Sequence, residues 1–221
     1  MRPYLVYVSS RHDWPVPPTW RSPYRTFDLA FAAYDQPPAC PGADFQFHSD
    51  LEKFRGAKEL MGDRMLGYEA VAFLDDDIEV DASRLDALFR IGLRLDYLVW
   101  QPALSAGSFY TWKCTVERPG LAAVPTDFVD VMCPFFSRAG LREALPLFDV
   151  NYGAFGLDVL WSHRWPLERK GVIHHLPVGH HRPIGSCVRR MPNGLTKREE
   201  LDEVLRAPEL RAYWTRLCAG V

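Results

Sequence analysis

The chain has 221 residues, of which 48% are hydrophobic and 24% are charged. This composition is typical of a folded globular protein, and the length suits one domain of ordinary or slightly large size with a substantial core. The 26 basic and 28 acidic residues leave a formal net charge of −2, which disfavours attachment to nucleic acid or to anionic membranes by bulk charge. A local basic groove would not be visible in that count.

The cysteines favour a reducing compartment. They are odd in number, widely spaced, and no two of them form a C-x-x-C pair, so they fit neither a disulfide framework nor a thiolate zinc site. They are Cys40, Cys114, Cys133, Cys187 and Cys218. The apolar N-terminal stretch is too short for a secretory signal, and no run approaches the roughly 20 apolar residues of a membrane span. We expect a soluble, cytoplasmic protein with reduced thiols.

Strand and helix patterns alternate along the first third of the chain. Residues 4–8 and 27–34 are rich in β-forming side chains and predict two strands, each followed by a proline-rich loop. The apolar spacing of residues 48–62 predicts a helix. Residues 70–74 form a short continuous apolar run, typical of a strand buried on both faces, and this run ends at the acidic triplet 75–77.

The same alternation continues after the triplet. Asp81 or Ser83 can cap a helix, and residues 97–100 and 128–132 then predict two further strands. Ser137 is placed to cap the next helix.

The C-terminal segment is predicted to be helical. Thr196 opens a capping-box pattern, and Pro208 divides the segment into two helices. Strands alternating with helices at this spacing predict a single-domain α/β fold, in which a mostly parallel sheet is flanked by helices.

The acidic triplet indicates a metal site. Three adjacent carboxylates are unfavourable unless a cation neutralises them, because each raises the pKa of its neighbours. Oxygen ligands suit a hard divalent ion, Mg²⁺ or Mn²⁺, which commonly keeps positions open for phosphate oxygens. Since side chains alternate along an extended segment, Asp75 and Asp77 can face one side while Asp76 points away. The alternative is a solvated acidic turn that caps the helix starting near Asp81.

Six segments between residues 53 and 183 carry a resemblance to a known family. In chain order they are residues 53–56 (Lys-Phe-Arg-Gly), 71–79 around the triplet, 100–105, 128–138, 156–158 (Gly-Leu-Asp) and 180–183 (His-His-Arg-Pro). In that order they resemble the motifs of a GT-A glycosyltransferase-like family of plants and bacteria, formerly classed as a domain of unknown function. Residues 71–79 are similar to its metal-binding D-x-D segment. One departure is Asp130, where the family has Glu. Because the Asp side chain is shorter, a role that depends on the length of the Glu side chain does not carry over directly to Asp130.

The resemblance implies a GT-A-like (Rossmann-like) fold that uses a metal and a sugar nucleotide. The D-x-D carboxylates of such enzymes hold Mn²⁺ or Mg²⁺, which bridges the two phosphates of a nucleotide-diphosphate sugar, here a UDP- or GDP-sugar. Asp77 would be a direct metal ligand, Asp75 a ligand or a donor contact, and Asp76 a donor contact. His180 matches the late histidine that completes the coordination. The histidines that compete for this role are His174, His175 and His181.

Two further acids are candidate catalytic bases. In inverting enzymes of this type a carboxylate deprotonates the acceptor hydroxyl, and Asp158 is the first candidate for that role. The alternative is that Asp158 is an ordinary helix N-cap. Asp130 is the second candidate, with the alternative that it pairs with an arginine.

The donor is expected to lie against the first strands, because ligands of such sheets bind where strands end at the carboxyl edge. Ser9 and Arg11 end the first predicted strand, Asp35 ends the second, and Lys53 begins a helix that can supply positive charge to phosphate. One or two aromatic side chains are expected to stack on sugar rings. The candidates are Phe109, Tyr110, Trp112, Tyr152, Phe155 and Trp161.

These observations favour a metal-dependent, inverting glycosyltransferase with an unidentified acceptor. Within the one domain, residues 1–100 would bind the nucleotide-sugar, residues 101–190 would carry the acceptor site and the catalytic residues, and residues 191–221 would form C-terminal helices. The alternatives are a metal-dependent phosphoryl-transfer or hydrolytic enzyme, in which carboxylates and histidine also organise Mg²⁺, and a non-catalytic module that binds nucleotide-sugars.

Overall fold

A computed structural model describes residues 2–183 and 190–219 of the chain. In these residues nine strands form one sheet in the order β3-β2-β1-β4-β8-β6-β9-β5, and β7 pairs with β9 outside that path. The strands are β1 (Tyr4–Ser10), β2 (Phe27–Ala33), β3 (Phe45–His48), β4 (Ala70–Leu74), β5 (Ile78–Glu79), β6 (Val99–Leu104), β7 (Ala123–Pro125), β8 (Phe135–Ser137) and β9 (Lys170–His180).

Six α-helices accompany the sheet in the described part of the chain. They are α1 (Lys53–Met61), α2 (Ala82–Arg94), α3 (Arg138–Ala144), α4 (Leu157–Arg164), α5 (Lys197–Val204) and α6 (Pro208–Ala219). Within the residues that the structure covers, none of the helices combines the length and apolar character that a bilayer crossing requires.

The long strand pairings are parallel, as the sequence predicted. Strands β1, β2, β3 and β4 pair in parallel, and so do β6 and β9. The antiparallel pairings of β5, β7 and β8 each involve only two or three residues. The α/β fold class predicted from the alternation of strands and helices is therefore confirmed.

The central strands are buried on both faces, which explains their continuous apolar sequence. Along β1, Val6 and Val8 pack into a cluster on one face of the sheet, whereas Leu5 and Tyr7 pack into a second cluster on the other face. This alternation follows from the two-residue period of a strand. Helices must therefore cover both faces, as parallel sheets require.

Side-chain caps start the helices where the sequence placed them. Asp81 accepts a hydrogen bond from the Arg84 amide at 2.8 Å and starts α2. Ser137 accepts one from the Gly140 amide at 3.1 Å and starts α3. Thr196 and Glu199 form the predicted capping box of α5, and each cap satisfies amides that the helix itself leaves without partners.

The helix predicted over residues 48–62 is too long. Residues 45–48 form β3, which pairs in parallel with β2, and α1 begins only at Lys53. Alternate residues of β3 are partly buried and exposed, so its four residues have the two-residue period of an edge strand, a run too short to stand out in the sequence.

The strand predicted over residues 128–132 is wrong. Phe128 and Val129 are fully buried, which accounts for the apolar pattern, but the amides of this segment donate to side chains and not to a neighbouring strand. The Val129 amide donates to Ser162 Oγ at 3.1 Å, and the Asp130 amide donates to Gln101 Oε1 at 2.6 Å. The strand that does pair with β4 and β6 is β8, a few residues later.

The cysteines form no disulfide within the described residues. Cys40 and Cys133 are buried free thiols, and Cys114 and Cys218 are exposed free thiols. Cys187 lies outside the described residues.

Candidate active site

The acidic triplet follows β4 directly, at the carboxyl edge of the parallel strands. The Asp75 amide donates to the Met132 carbonyl at 2.9 Å, and the Ile78 amide closes a turn on the Asp75 carbonyl at 3.2 Å. Strand β5 then pairs with the end of β9 and sets Ile78 opposite His180. This pairing brings a histidine about a hundred positions later in the chain beside the triplet.

Asp75, Asp77 and His180 form a cluster of possible metal ligands. Each offers one ligand atom, and these atoms all lie within 4.8 Å of one another. Asp76 takes a different direction, because its carboxylate accepts a hydrogen bond from Ser10 and pairs with Arg182. The alternation proposed for the triplet is therefore present in the structure.

The hydrogen bonds of His180 suit a cation between the ring and Asp77. Nδ1 lies 2.7 Å from the Phe109 carbonyl oxygen, and a carbonyl can only accept, so Nδ1 carries a proton. Nε2 then faces Asp77 Oδ2 at 3.2 Å, and two lone pairs at this distance require a proton or a metal between them. The hydrogen bond to Asp77 raises the pKa of His180, although burial lowers it. Two carboxylates and an oriented imidazole are a fitting donor set for a divalent cation.

The other candidate histidines have separate partners. The His174 ring is buried and accepts a hydrogen bond from the Arg118 amide at 3.2 Å. His175 contacts the Ala122 carbonyl at 2.7 Å, and His181 pairs with Glu79. Among the residues that the structure covers, His180 is therefore the histidine that joins the two aspartates.

Two basic side chains neutralise the triplet. Lys53 Nζ lies 2.6 Å from Asp75 Oδ1 and 2.6 Å from the Val131 carbonyl oxygen. The Arg182 guanidinium pairs with Asp76, and its Nε lies 3.1 Å from Asp77 Oδ2. These cations are positioned to contact an anionic ligand as well as the carboxylates.

Two cavities meet at the triplet, and a third adjoins the larger of these two. The central cavity has a volume of about 390 Å³ and is lined by the cluster, by both cations and by Asp130. The β1-side cavity, of about 350 Å³, shares Glu52, Lys53 and Asp75 with it and extends to Ser9. The α6-side cavity, of about 370 Å³, shares four residues with the central cavity and extends to Asp158 and α6. The shared residues are Thr111, Asp130, Val131 and Phe155.

Asp130 lies where the central and α6-side cavities join. Its carboxylate is buried and accepts a hydrogen bond from the Met132 amide at 3.1 Å. Burial raises the pKa of Asp130 to about 6, and the negative charge of Asp75 acts in the same direction. The alternative, that Asp130 pairs with an arginine, finds no support within residues 2–183 and 190–219, where Arg182 pairs instead with Asp76 and Asp77.

Asp158 lines the α6-side cavity. Burial raises its pKa well above the usual carboxyl range, and the charge of Asp130 adds to that effect. The N-cap of α4 is Gly156, whose φ of +92° is a conformation that favours glycine. Asp158 is therefore the second residue of α4 and not its cap, and its Oδ1 accepts a hydrogen bond from the Val159 amide at 2.9 Å.

The residues predicted to contact the donor separate into two groups. Ser9 and Lys53 line the β1-side cavity. Arg11 and Asp35 line none of the three cavities, and they pair with each other at 3.7 Å on an exposed edge. Burial would raise the pKa of Asp35, but hydrogen bonds from His12 lower it to about 2.

Of the six candidate aromatic residues, Trp112 and Phe155 line the cavities. Trp161 is fully buried in the core, and Tyr152 stacks on the Arg55 guanidinium at 3.9 Å. The side chains of Phe109 and Tyr110 are exposed and line none of the three cavities.

Sequence reasoning missed two basic residues of these cavities, Lys197 and Arg198. They occupy the first turn of α5 and line the central and α6-side cavities respectively. The sequence does contain an indication of their role. Basic residues directly after an N-cap interact unfavourably with the helix dipole, so two of them at this position favour a function other than stabilising the helix.

The fold is of the GT-A-like α/β class, and solved structures provide a specific likeness. The chain is similar to S. aureus TarS 1–349 in complex with UDP-GlcNAc, with a TM-score of 0.56 and 11% identity over 93% of this chain. It is similar to TarS 1–349 in complex with UDP, with a TM-score of 0.57 and 10% identity over 96% of this chain. The chain spans 65% of TarS 1–349 and 38% of the longer TarS structure. At this identity the likeness shows a shared fold.

No protein-family profile and no curated protein sequence matches the chain.

Proposed function

We propose that the chain is a metal-dependent glycosyltransferase that uses a nucleotide-diphosphate sugar. The observation that carries the proposal is the cluster of Asp75, Asp77 and His180 within 4.8 Å, in a cavity at the carboxyl edge of the sheet. Support comes from the fold shared with TarS, a protein whose structures contain UDP and UDP-GlcNAc. Mn²⁺ or Mg²⁺ held by these three residues would supply positive charge to the departing nucleoside diphosphate.

The residues around the cluster can bind the remainder of the donor. Lys53 and Arg182 border the central cavity and can contact phosphate oxygens directly. The β1-side cavity joins the central one through Lys53 and Asp75, so we assign it to the nucleoside of a UDP- or GDP-sugar. Ser9 contributes a hydroxyl there, and Asp76 fixes the turn through Ser10 and Arg182. We assign Arg11 and Asp35 to the outer edge of the nucleoside side.

The buried carboxylates suit proton removal from the acceptor. A general base works best when its pKa lies near the operating pH, and burial raises the pKa of Asp130 to about 6. We assign Asp130, at the junction of the two cavities, and Asp158, in the α6-side cavity, as the pair that accepts the proton. The acceptor oxygen forms a bond to the anomeric carbon while the bond to the phosphate oxygen breaks. Its electron pair leaves with the nucleoside diphosphate, and the anomeric configuration inverts.

Thermal unfolding tests the donor site. UDP or GDP together with Mn²⁺ should raise the melting temperature of the wild-type chain, because a ligand that binds only the folded state stabilises it. Asp77→Ala should abolish this shift. Asp96→Asn, which removes an exposed charge that pairs with Arg169, should retain it. Absence of a shift with every nucleoside diphosphate would contradict the proposal.

Turnover separates the remaining possibilities. Release of nucleoside diphosphate from a sugar nucleotide that depends on an acceptor would identify a transferase. Binding without such release would identify a non-catalytic module, and release of inorganic phosphate from simple phosphoesters would identify a phosphoryl-transfer enzyme.

A further inference from the structure

The α6-side cavity is built by the C-terminal helices against the catalytic half of the chain. At about 370 Å³ it lies within the usual size range of small-molecule sites. It opens into the central cavity, where the donor sugar would lie, through Asp130 and Phe155. Under the proposed function, on which this inference rests, it is the place for the acceptor.

Aromatic and aliphatic side chains form much of its wall. They are Trp112, Phe155, Leu201 and Trp214. The rings of Trp112 and Trp214 meet edge to face at 5.0 Å and 82°, and Trp214 keeps part of its surface exposed. Such a wall favours a ligand with a flat ring.

The charged groups of this cavity have opposite signs at different positions. Asp130 and Asp158 supply buried acids, whereas Arg198 supplies an exposed guanidinium. Within the described residues Arg198 forms no hydrogen bond or ion pair of its own, although its neighbour Lys197 reaches Glu52 at 3.3 Å. An arginine beside an apolar cavity, with no partner among the residues that the structure covers, is suited to a carboxylate or phosphate of a ligand.

Helix α5 holds Arg198 apart from its contact with the start of α4. The start of α4 packs on Leu201 and Val204, because a Cβ on Gly156 would lie 3.1–3.3 Å from their side chains. Arg198 lies three residues before Leu201 on α5, hence about 4.5 Å nearer the N-terminus of that helix. A ligand can therefore direct a hydroxyl to the acids and an anionic group to Arg198.

We propose that the acceptor is an anionic, ring-bearing hydroxyl compound. Its ring contacts Trp112 and Trp214, its acid group pairs with Arg198, and its reacting hydroxyl faces Asp130 and Asp158. Two sources share this chemistry, namely a uronic acid carried on an aryl or apolar group and an aromatic hydroxyacid.

Calorimetric titration with matched probes tests the acceptor class. Phenyl glucuronide should bind the full chain about tenfold more tightly than phenyl glucoside, which has a neutral hydroxymethyl group in place of the carboxylate. Methyl glucuronide, which lacks the aryl ring, should also bind more weakly. 4-Hydroxyphenylacetate represents the second source, and binding tighter than its methyl ester identifies that source. Equal binding of the acid and the neutral member in both pairs, or no binding of any probe, would overturn the inference.

Variants identify the side chains that cause the preferences for the acid group and for the aryl ring. Arg198→Gln should remove the preference for the acid and Arg198→Lys should restore part of it, whereas Trp214→Leu should weaken the phenyl probes and spare methyl glucuronide. Arg216→Gln, an exposed charge on the same helix, should change nothing. A preference that persists in Arg198→Gln would contradict the assignment. Binding of UDP with Mn²⁺ is measured on the same samples, so failure of the donor site and failure of the acceptor inference are distinguishable.

Discussion

At the scale of single residues, the main feature is a pair of buried carboxylates with raised pKa values. Asp130 and Asp158 are almost inaccessible to solvent, and desolvation disfavours their charged forms. The fold keeps them without a basic partner at hydrogen-bond distance among the described residues. Such groups weaken stability when ionised, and their retention beside a cavity is typical of acid–base chemistry.

Asp158→Asn should separate stability from activity. Because burial raises the pKa of Asp158, the folded chain holds this proton more tightly than the unfolded chain. That contribution is complete below the ordinary carboxyl pKa and is lost as the pH rises through the raised pKa. Between about pH 4 and pH 8 the unfolding free energy of the variant should therefore fall by less than that of the wild type, and the fall that remains is the part due to Asp130. Turnover should fall about 10²–10⁴-fold.

Urea unfolding at several pH values and a sugar-transfer assay measure both effects. Asp149→Asn, which removes an exposed carboxylate that pairs with Lys58, is the matched control and should leave both unchanged. An Asp158→Asn chain that transfers sugar at the wild-type rate would remove Asp158 from the catalytic pair.

At the scale of elements, α5 holds the loop that leads into α4. Glu200 is only 1% exposed and accepts hydrogen bonds from the Tyr152 amide at 2.8 Å, the Gly153 amide at 2.6 Å and Asn193 Nδ2 at 2.8 Å. This loop carries Phe155, which lines both the central and the α6-side cavities. The C-terminal helices therefore position part of the site.

Glu200→Gln should destabilise the chain by about 2–3 kcal/mol, because a single amide oxygen replaces a buried, charged acceptor of three hydrogen bonds. Chemical denaturation measures this loss, and the KM for the acceptor should rise while binding of UDP with Mn²⁺ remains. Glu203→Gln, which alters an exposed pair with Arg206 on the same helix, should have little effect. Equal stability of the two variants would mean that the hydrogen bonds of Glu200 do not stabilise the loop.

The elements differed in how well the sequence predicted them. The residues of β4 and the caps at Asp81, Ser137 and Thr196 have local signals, and the structure has them at those positions. Residues 128–132 misled the prediction because their burial depends on partners far along the chain, such as Gln101 and Ser162. Periodicity reports burial, and it cannot identify which groups satisfy a buried backbone.

At the scale of the whole molecule, topology assembles a site that no local pattern describes. Residues 75–77 meet His180 through two paired residues of β5 and β9, a contact too short to leave a signal in the sequence. The family resemblance pointed to His180, and the structure places that histidine beside Asp75 and Asp77. Arg11 and Asp35 fall at strand ends, as predicted, yet they lie on the outer edge, because a strand end alone does not fix the direction of a side chain. Their role with the donor stays a prediction, as does the division of the domain into donor and acceptor halves.

The net charge of −2 likewise does not show how the charged side chains are distributed in the structure. Carboxylates gather at residues 75–77, and Lys53 and Arg182 meet them from distant parts of the chain. Bulk neutrality is therefore compatible with a small anionic ligand held by local charge.

The central claim is that Asp75, Asp77 and His180 bind a divalent cation that is required for the sugar nucleotide. Electron paramagnetic resonance of Mn²⁺ titrated into the full chain with UDP measures this directly, because bound Mn²⁺ loses the signal of the free aqueous ion. We predict a single class of tight Mn²⁺ sites that UDP strengthens, absent from Asp77→Ala and weakened in His180→Ala. Mn²⁺ binding of equal strength in the wild type and in Asp77→Ala would contradict the account.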